Sequence, residues 1–247
     1  MRILFTNDDG YDSQGLYAVA DLFKTDHEIT VAAPVTQRSG FSHSLTLKPY
    51  TGSCEKIDGR DYPVFAVGGT PADCVKVACR YLDVRPDLVI SGINFGQNLG
   101  SDILYSGTVS ASAEAALMGY RTIALSLDVK KSACNVDFSR AAKLFFKNFD
   151  RFYALSGICD IININIPYGN IKGFKTVRMN TQETWKPLYD LSDNGELLPA
   201  GGRDYTGLYT DTDEFYCKDG YVTVSPLTID RTDHAALDKM KGEKFEL

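Results

Sequence analysis

The sequence has few of the features that mark zinc sites or nucleic-acid surfaces. It contains three histidines and six cysteines, with no CxxC pair and no closely paired histidines, so a zinc site is not expected. Its 26 basic residues are outnumbered by 32 acidic residues, the net charge is −6, and no basic run occurs. A nucleic-acid partner is therefore not expected.

Long apolar segments are missing as well. No apolar run is long enough to cross a bilayer, and Met1 leads directly into a strand-like segment without the features of a secretion signal. We therefore expect a protein without a membrane partner that works in the reducing cytoplasm. A chain of 247 residues can bury a full core, as one large domain or as one domain with an appendage.

Strand-like and helix-like segments alternate through the first two thirds of the chain. Thr70, Pro71 and Asp73 form a helix-start signature, and the spacing of phenylalanines and alanines predicts a helix over about 137–152. Alternation of this kind is typical of parallel βαβ units. The pattern predicts an α/β fold, with a Rossmann-like, mostly parallel sheet flanked by helices over residues 1–167.

The character of the sequence changes after Pro167. Short strand-like pieces rich in glycine and tyrosine follow, with candidate strands at 173–179, 213–217 and 221–225 and a short helix at 233–240. Residues 168–247 are therefore predicted to form a β-rich C-terminal extension with hairpins and a short helix.

Two adjacent acids, Asp8 and Asp9, come directly after the first strand-like segment. In open α/β sheets ligands bind at the carboxyl ends of the strands, so two carboxylates there suggest a cation and, through it, a phosphate. The alternative is an ordinary Asx-type turn, because Asn and Asp are common turn formers.

A polar stretch, TQRSGFSHSLTL at 36–47, follows the second strand and so lies at the same edge of the sheet. It contains Ser39, Gly40 and His43. We expect a loop over the site, although an ordinary surface loop is the alternative.

A glycine-rich and asparagine-rich stretch, residues 91–119, follows the strand near Val89. Its glycines permit close backbone approach, and Asn94 and Asn98 supply amide groups inside the loop. Ser106-Gly107-Thr108 then opens a helix, whose first N–H groups favour an anion. The spacing fits neither GxGxxG nor the P-loop motif. The alternative is that these residues merely turn the chain.

Four segments in order resemble the SurE family, the survival-protein phosphatases that act as 5'- and 3'-nucleotidases; they are TNDDGYDSQGL, APVTQRSGFSHSLTL, GTPADCV and SGINFGQNLGSDILYSGTVSASAEA. The similarity extends over nearly the whole chain. It implies one divalent metal ion per subunit, bound by Asp8, Asp9, Ser39 and Asn94. These residues supply only oxygen ligands, which suits Mg²⁺ or Mn²⁺.

The resemblance also implies phosphate contacts from Asn98, Ser106, Gly107 and Thr108, to which we add the backbone amide of Gly40. The expected catalytic residues are Asp8, Asp9, Asn98 and Ser106. Asp8 is a candidate general base, with a nucleophilic role as the alternative.

The expected activity is that of a metal-dependent phosphomonoesterase acting on nucleoside 5'- and 3'-monophosphates, with short polyphosphate as a further substrate. The resemblance implies a homodimer or homotetramer with exchanged C-terminal elements. The main alternative is a phosphoacceptor switch of the receiver type, which also places acids after its first strand. A sugar-nucleotide transferase is a weaker alternative.

Overall fold

The computed structural model of the chain describes residues 1–47, 54–129 and 135–241. Within these ranges the strands are β1 (Arg2–Thr6), β2 (Glu28–Pro34), β3 (Cys54–Ile57), β4 (Val64–Val67), β5 (Leu88–Phe95), β6 (Thr122–Asp128), β7 (Ile161–Pro167), β8 (Gly173–Thr176), β9 (Trp185–Leu191), β10 (Leu197–Arg203) and β11 (Tyr221–Leu227). The helices are α1 (Gln14–Phe23), α2 (Pro71–Arg80), α3 (Gly107–Leu117), α4 (Ser139–Lys147), α5 (Phe149–Leu155), α6 (Asp213–Lys218) and α7 (His234–Met240), with a short 3-10 helix at Gly100–Leu104.

Six neighbouring strands of the main sheet are parallel and follow the order β4-β2-β1-β5-β6-β7. The chain first builds outward from β1 through β2 to β4, then returns to the centre at β5 and builds the other side. The direction of building therefore reverses between β1 and β5. In sheets of this kind the ligand binds outside the carboxyl ends of the two strands at the reversal. The predicted Rossmann-like sheet is confirmed.

Alternating side chains of β1 show how the sheet is covered on both faces. Ile3 and Phe5 pack in a cluster with residues of α1, α4 and α5, whereas Leu4 packs in a second cluster with residues of α2 and α3. Successive side chains of a strand point to opposite faces, so the middle of this central strand, from Ile3 to Phe5, is apolar on both faces. Each of these three side chains is almost completely buried.

The start of α2 forms as the sequence predicts. Thr70 accepts a hydrogen bond from the Asp73 N–H at 3.2 Å, and the Asp73 carboxylate accepts one from the Thr70 N–H at 2.9 Å. This reciprocal pair satisfies two N–H groups that a helix start otherwise leaves without a partner.

Two predicted elements differ in the structure. The helix expected over 137–152 is two helices, α4 and α5, separated at Asn148, whose side-chain amide donates to the Leu144 carbonyl at 2.9 Å. Side chains that bond to nearby backbone compete with helix continuation. The prediction of a strand over 213–217 is wrong, because the segment forms α6. Asp213 and Glu214 lie in the first turn of this helix, where carboxylates are favoured.

The segment after Pro167 extends the main sheet and adds a hairpin. β11 pairs antiparallel with β7 and parallel with β8, so β11 and β8 belong to the nine-stranded main sheet. β9 and β10 pair antiparallel with each other. The division at residue 167 stays a prediction. No helix in the described part of the chain is long and apolar enough to cross a membrane.

Candidate active site at the switch point of the sheet

The ends of β1 and β5 bring together the predicted acids and the first asparagine of the glycine-rich stretch. Asp8 and Asp9 follow β1, and Asn94 lies near the end of β5, which pairs with β1. The Asx turn is present, but Asn7 forms it, donating to the Gly10 carbonyl at 2.9 Å and accepting from the Gly10 N–H at 3.2 Å. Both acids are therefore left for other contacts.

The two carboxylates face different parts of the site. Asp8 is 4% exposed, and its Oδ1 accepts a hydrogen bond from the Thr108 hydroxyl at 2.6 Å. Asp9 Oδ2 accepts from the backbone N–H of Phe95 at 2.8 Å, and its Oδ1 accepts from the Gln37 side chain at 3.4 Å. Asp8 is thereby linked to the start of α3, and Asp9 to β5.

Burial raises the pKa of Asp8, although the Thr108 hydroxyl and the N–H groups of Thr108 and Gly107 favour its charged form. Burial, followed by the charge of Asp8, raises the pKa of Asp9 to about 7. Within the described ranges no lysine or arginine forms an ion pair with either acid. Two ionised carboxylates in this setting require stabilisation by a nearby positive charge.

The loop at 36–47 lies at the same edge of the sheet. The Arg38 N–H donates to the Asp8 carbonyl at 2.7 Å, and Gln37 Nε2 donates to the Ser39 hydroxyl at 3.0 Å. Further along, the Ser42 N–H donates to the Tyr105 carbonyl at 3.1 Å, next to the start of α3. These contacts hold Ser39 and the adjoining Gly40 beside the acid pair.

Asn98 is held by polar side chains of two strands, β6 and β7. Its N–H donates to Asn165 Oδ1 at 2.7 Å, its side-chain amide donates to the Ser126 hydroxyl at 2.8 Å, and its carbonyl accepts from Asn163 and Asn165. One of its two amide N–H bonds is therefore already used. Asn163 and Asn165 are not among the residues predicted from the sequence, although two asparagines in the otherwise apolar strand IININIP are an unusual feature.

The start of α3 closes the site. Ser106 is the N-cap, and its hydroxyl accepts from the Val109 N–H at 3.0 Å. Gly107 lies against Asp8, because a Cβ added to it would be only 2.7 Å from the Asp8 Cβ. The predicted helix opening at Ser106-Gly107-Thr108 is confirmed. Its first residues contact Asp8, and their contacts with phosphate stay a prediction.

These parts surround one cavity of about 400 Å³. Of the nine residues that the sequence predicts for the site, six line the cavity: Asp8, Ser39, Gly40, Asn94, Asn98 and Ser106. The other three, Asp9, Gly107 and Thr108, do not line the cavity but are in contact with residues that do. The structure therefore brings residues from three separate stretches of the sequence to a single place.

A family model described as Survival protein SurE matches residues 3–186. The chain belongs to the SurE family. It is 39% identical over 246 residues to the 5'-nucleotidase SurE of Clostridium beijerinckii, covering 96% of both chains. It is 36% identical over 245 residues to the 5'-nucleotidase SurE of Pseudothermotoga lettingae, covering 98% of this chain and 94% of the other.

The fold of this SurE-family chain is also similar to a solved structure. The crystal structure of SurE protein from Aquifex aeolicus aligns with a TM-score of 0.80 and 33% identity, and the alignment covers 98% of each chain. Similarity over the full length includes the C-terminal segment as well as the switch-point site.

The donor groups in this SurE-family site fit a hard divalent cation. Asp8, Ser39 and Asn94 line the cavity together, and all three carry oxygen donors. The Asn94 nitrogen donates to the Gly96 carbonyl at 2.9 Å, so its amide oxygen is the end available to a cation. Within the described ranges no group of three or more His, Cys, Asp or Glu residues could hold a metal ion; this set differs from such groups because it includes a hydroxyl and an amide.

Proposed function

We propose that the chain is a divalent-metal-dependent phosphomonoesterase that hydrolyses nucleoside 5'- and 3'-monophosphates to nucleoside and phosphate, with short polyphosphate as a further substrate. One observation carries the proposal: the buried Asp8 carboxylate and Ser106, the N-cap of α3, line the same cavity at the switch point of the sheet. The names of the Clostridium and Pseudothermotoga relatives support the nucleotide substrate.

In this proposal Asp8, Asp9, Ser39 and Asn94 hold one Mg²⁺ or Mn²⁺ ion. When bound, the ion supplies positive charge that polarises a phosphoryl oxygen. Asp8 accepts hydrogen bonds from the start of α3, so its carboxylate is fixed in orientation before substrate arrives. The same fixed carboxylate is the candidate general base for the attacking water.

The remaining phosphoryl oxygens are assigned to donors at the rim of the cavity. Ser106 supplies its hydroxyl, Gly40 its backbone N–H, and Asn98 the amide N–H that Ser126 does not use. The Thr108 hydroxyl already donates to Asp8, so Thr108 and Gly107 contribute through the helix start. These groups position the phosphate in line with the water and stabilise charge as it redistributes.

Phosphate release tests this proposal. The wild-type protein would be incubated with nucleoside 5'- and 3'-monophosphates and with short polyphosphate, each with Mg²⁺ and with Mn²⁺. Continuous release from at least one nucleoside monophosphate is expected. Stoichiometric labelling by acetyl phosphate without turnover would favour the receiver-type switch, which the family match does not support.

The close approach of Gly107 to Asp8 gives a prediction for Gly107→Ala. A Cβ there would lie 2.7 Å from the Asp8 Cβ and 3.0 Å from the Pro71 Cγ, so one of the three residues must move. Overpacking of this kind costs about 1–3 kcal/mol of stability, and misplacement of a reacting group by about 1 Å can cost roughly 10² in rate. Thermal unfolding and kcat/KM for adenosine 5'-monophosphate (AMP) would be measured.

Gly202→Ala is the matched control, because a Cβ at Gly202 meets nothing within 4 Å. It should change neither quantity appreciably. Wild-type kcat/KM in Gly107→Ala would show that the contact between α3 and Asp8 does not control the position of the carboxylate.

We also propose that the chain assembles as a homodimer or homotetramer with exchanged C-terminal elements. In the hairpin, Leu191 and Leu197 are 70% and 68% exposed, and α7 has no buried residue. Exposed apolar side chains of this kind are suited to a contact with another copy. Light scattering at micromolar concentration should give two or four times the chain mass of 27.2 kDa, and a monomer alone would contradict the assembly.

The cytoplasm is the proposed compartment. In the described part of the chain Cys54, Cys74, Cys79, Cys159 and Cys217 are all free thiols, as is usual in a reducing environment. Cys134 lies outside the described residues.

A further inference from the structure

The site cavity has a second half that the proposed reaction does not use. This half is lined by side chains from the C-terminal part of the chain and from the end of β6, namely Trp185, Arg203, Tyr205, Lys218 and Asp128. Its total volume of about 400 Å³ is in the range of cavities that bind small organic ligands. A phosphate group needs only the half near Asp8.

Trp185 is held in place on this wall rather than buried in the core. It is 39% exposed, and the Arg203 guanidinium lies 5.4 Å from the centre of its ring. Trp185 and Arg203 are directly paired across the base of the β9–β10 hairpin. A large aromatic ring that remains partly exposed on a cavity wall offers a flat surface on which a ligand ring can stack.

Two acids, the partly buried Asp102 and the buried Glu214, fix Arg203 and, through it, the ring. Arg203 forms an ion pair with Asp102 and lies 3.6 Å from Glu214 Oε1. Glu214 is fully buried and accepts from the Thr184 hydroxyl at 2.8 Å. Asp102 belongs to the 3-10 helix that ends just before Ser106, so the aromatic wall is tied directly to the predicted phosphate end. A wall fixed in advance reduces the entropy cost of binding.

Asp128 provides acceptors on the same wall. It is the last residue of β6 and lines the cavity. In the described part of the chain, the donor to its carboxylate is the Cys217 thiol at 3.9 Å, which is a weak donor. The carboxylate oxygens therefore keep acceptor capacity for ligand hydroxyl groups. Carboxylates next to parallel strands commonly accept hydrogen bonds from ribose in nucleotide sites.

We propose that this half of the cavity is a nucleoside subsite, in which the Trp185 ring stacks on the nucleobase and the Asp128 carboxylate accepts hydrogen bonds from the ribose hydroxyls. The inference rests on the proposed function and deepens it, since it assigns the part of the substrate beyond phosphate. Tyr205, with the Lys218 ammonium 3.9 Å from its ring centre, forms a second aromatic wall. Stacking is tolerant of base identity, so purine and pyrimidine nucleotides should both be accepted.

Fluorescence tests the subsite without any turnover, because Trp185 is the single tryptophan of the sequence. Adenosine, which lacks phosphate, should quench the emission of the wild-type protein in a saturable way, and ribose should not. Asp128→Asn should weaken quenching by adenosine at least several-fold and leave quenching by 2',3'-dideoxyadenosine unchanged. Absence of saturable quenching would overturn the subsite.

Kinetics provide the second test. Trp185→Ala should raise KM for AMP about 10-fold to 100-fold, as expected for a lost base-stacking contact, and leave kcat/KM for ribose 5-phosphate unchanged. Trp185→Phe should recover much of the loss. Tyr189→Ala is the matched control, because Tyr189 is on the same strand, is 62% exposed and does not line this cavity.

The two proposals can fail separately. Saturable quenching by adenosine without phosphate release from any nucleotide would leave the subsite standing and contradict the proposed hydrolysis. Hydrolysis of AMP with the same KM in Trp185→Ala as in the wild type would leave the hydrolysis standing and contradict the subsite.

Discussion

Asp8→Asn is expected to lower kcat/KM for AMP by about 10³-fold or more. The substitution keeps the size of the side chain and an oxygen that can accept from the Thr108 hydroxyl, but it removes the negative charge that the proposed metal site requires. A metal ion contributes several kcal/mol of charge stabilisation in the transition state, and each 1.36 kcal/mol corresponds to a factor of ten. Steady-state phosphate release at saturating Mg²⁺ or Mn²⁺ measures the loss.

The same substitution should leave the fold intact or stabilise it in chelator. Burial raises the pKa of Asp8, so the folded protein disfavours the carboxylate relative to the unfolded chain. This penalty is absent below the unfolded pKa of about 3.9 and grows as pH rises above it. At neutral pH the melting temperature of Asp8→Asn should therefore equal or exceed that of the wild type.

Asp12→Asn is the control for Asp8→Asn, because Asp12 is an exposed acid close by in the sequence. It should affect neither activity nor stability. An inactive Asp8→Asn that also unfolds at lower temperature would indicate a structural role for the carboxylate, and an active one would remove Asp8 from the metal site.

Ser106→Ala is expected to lower kcat for AMP by about 10² to 10³, with a smaller effect on KM. The Ser106 hydroxyl lines the cavity at the N-cap of α3. A donor that strengthens its contact in the transition state contributes roughly 2–4 kcal/mol to the rate, and its loss appears in kcat. Because the hydroxyl also accepts from Val109, loss of the cap should cost about 0.5–2 kcal/mol of stability.

Ser112→Ala separates these two effects. Ser112 lies deeper in α3, is fully buried, and its hydroxyl has no hydrogen-bond partner among the described residues. Removing an unsatisfied buried hydroxyl should be nearly neutral for stability and silent in kcat. If Ser106→Ala loses stability but keeps wild-type kcat, Ser106 is only a helix cap.

The main sheet could be predicted because local signals agree with the overall fold. The apolar strands, the Thr70–Asp73 capping box and the small-residue helix at 107–117 are each read from neighbouring residues. Segment 213–217 could not be predicted correctly from its neighbouring residues. Its aromatic residues are typical of a strand, but the segment forms a helix. Asp213 at the start of this helix is buried and accepts hydrogen bonds from the N–H groups of Gly100 and Asn180, which are distant in the sequence.

The residues of the site also differ in whether they could be predicted from the sequence. The residues near Asp8 lie in stretches whose glycines, asparagines and acids are unusual enough to be noticed one stretch at a time. Trp185 and Arg203 come from an ordinary-looking hairpin, and they reach the cavity only because Arg203 pairs with Asp102 and Glu214. Pairings over such distances leave no periodic signal in a single sequence.

Stepwise restoration of metal to chelator-treated protein tests whether the reaction depends on a bound divalent cation. The protein would be freed of metal, shown to release no phosphate from AMP, and then titrated with Mn²⁺ while turnover is followed. Activity should return in proportion to added metal and saturate near one equivalent per chain. Full activity in excess chelator, or no recovery with either Mn²⁺ or Mg²⁺, would contradict a metal-dependent reaction.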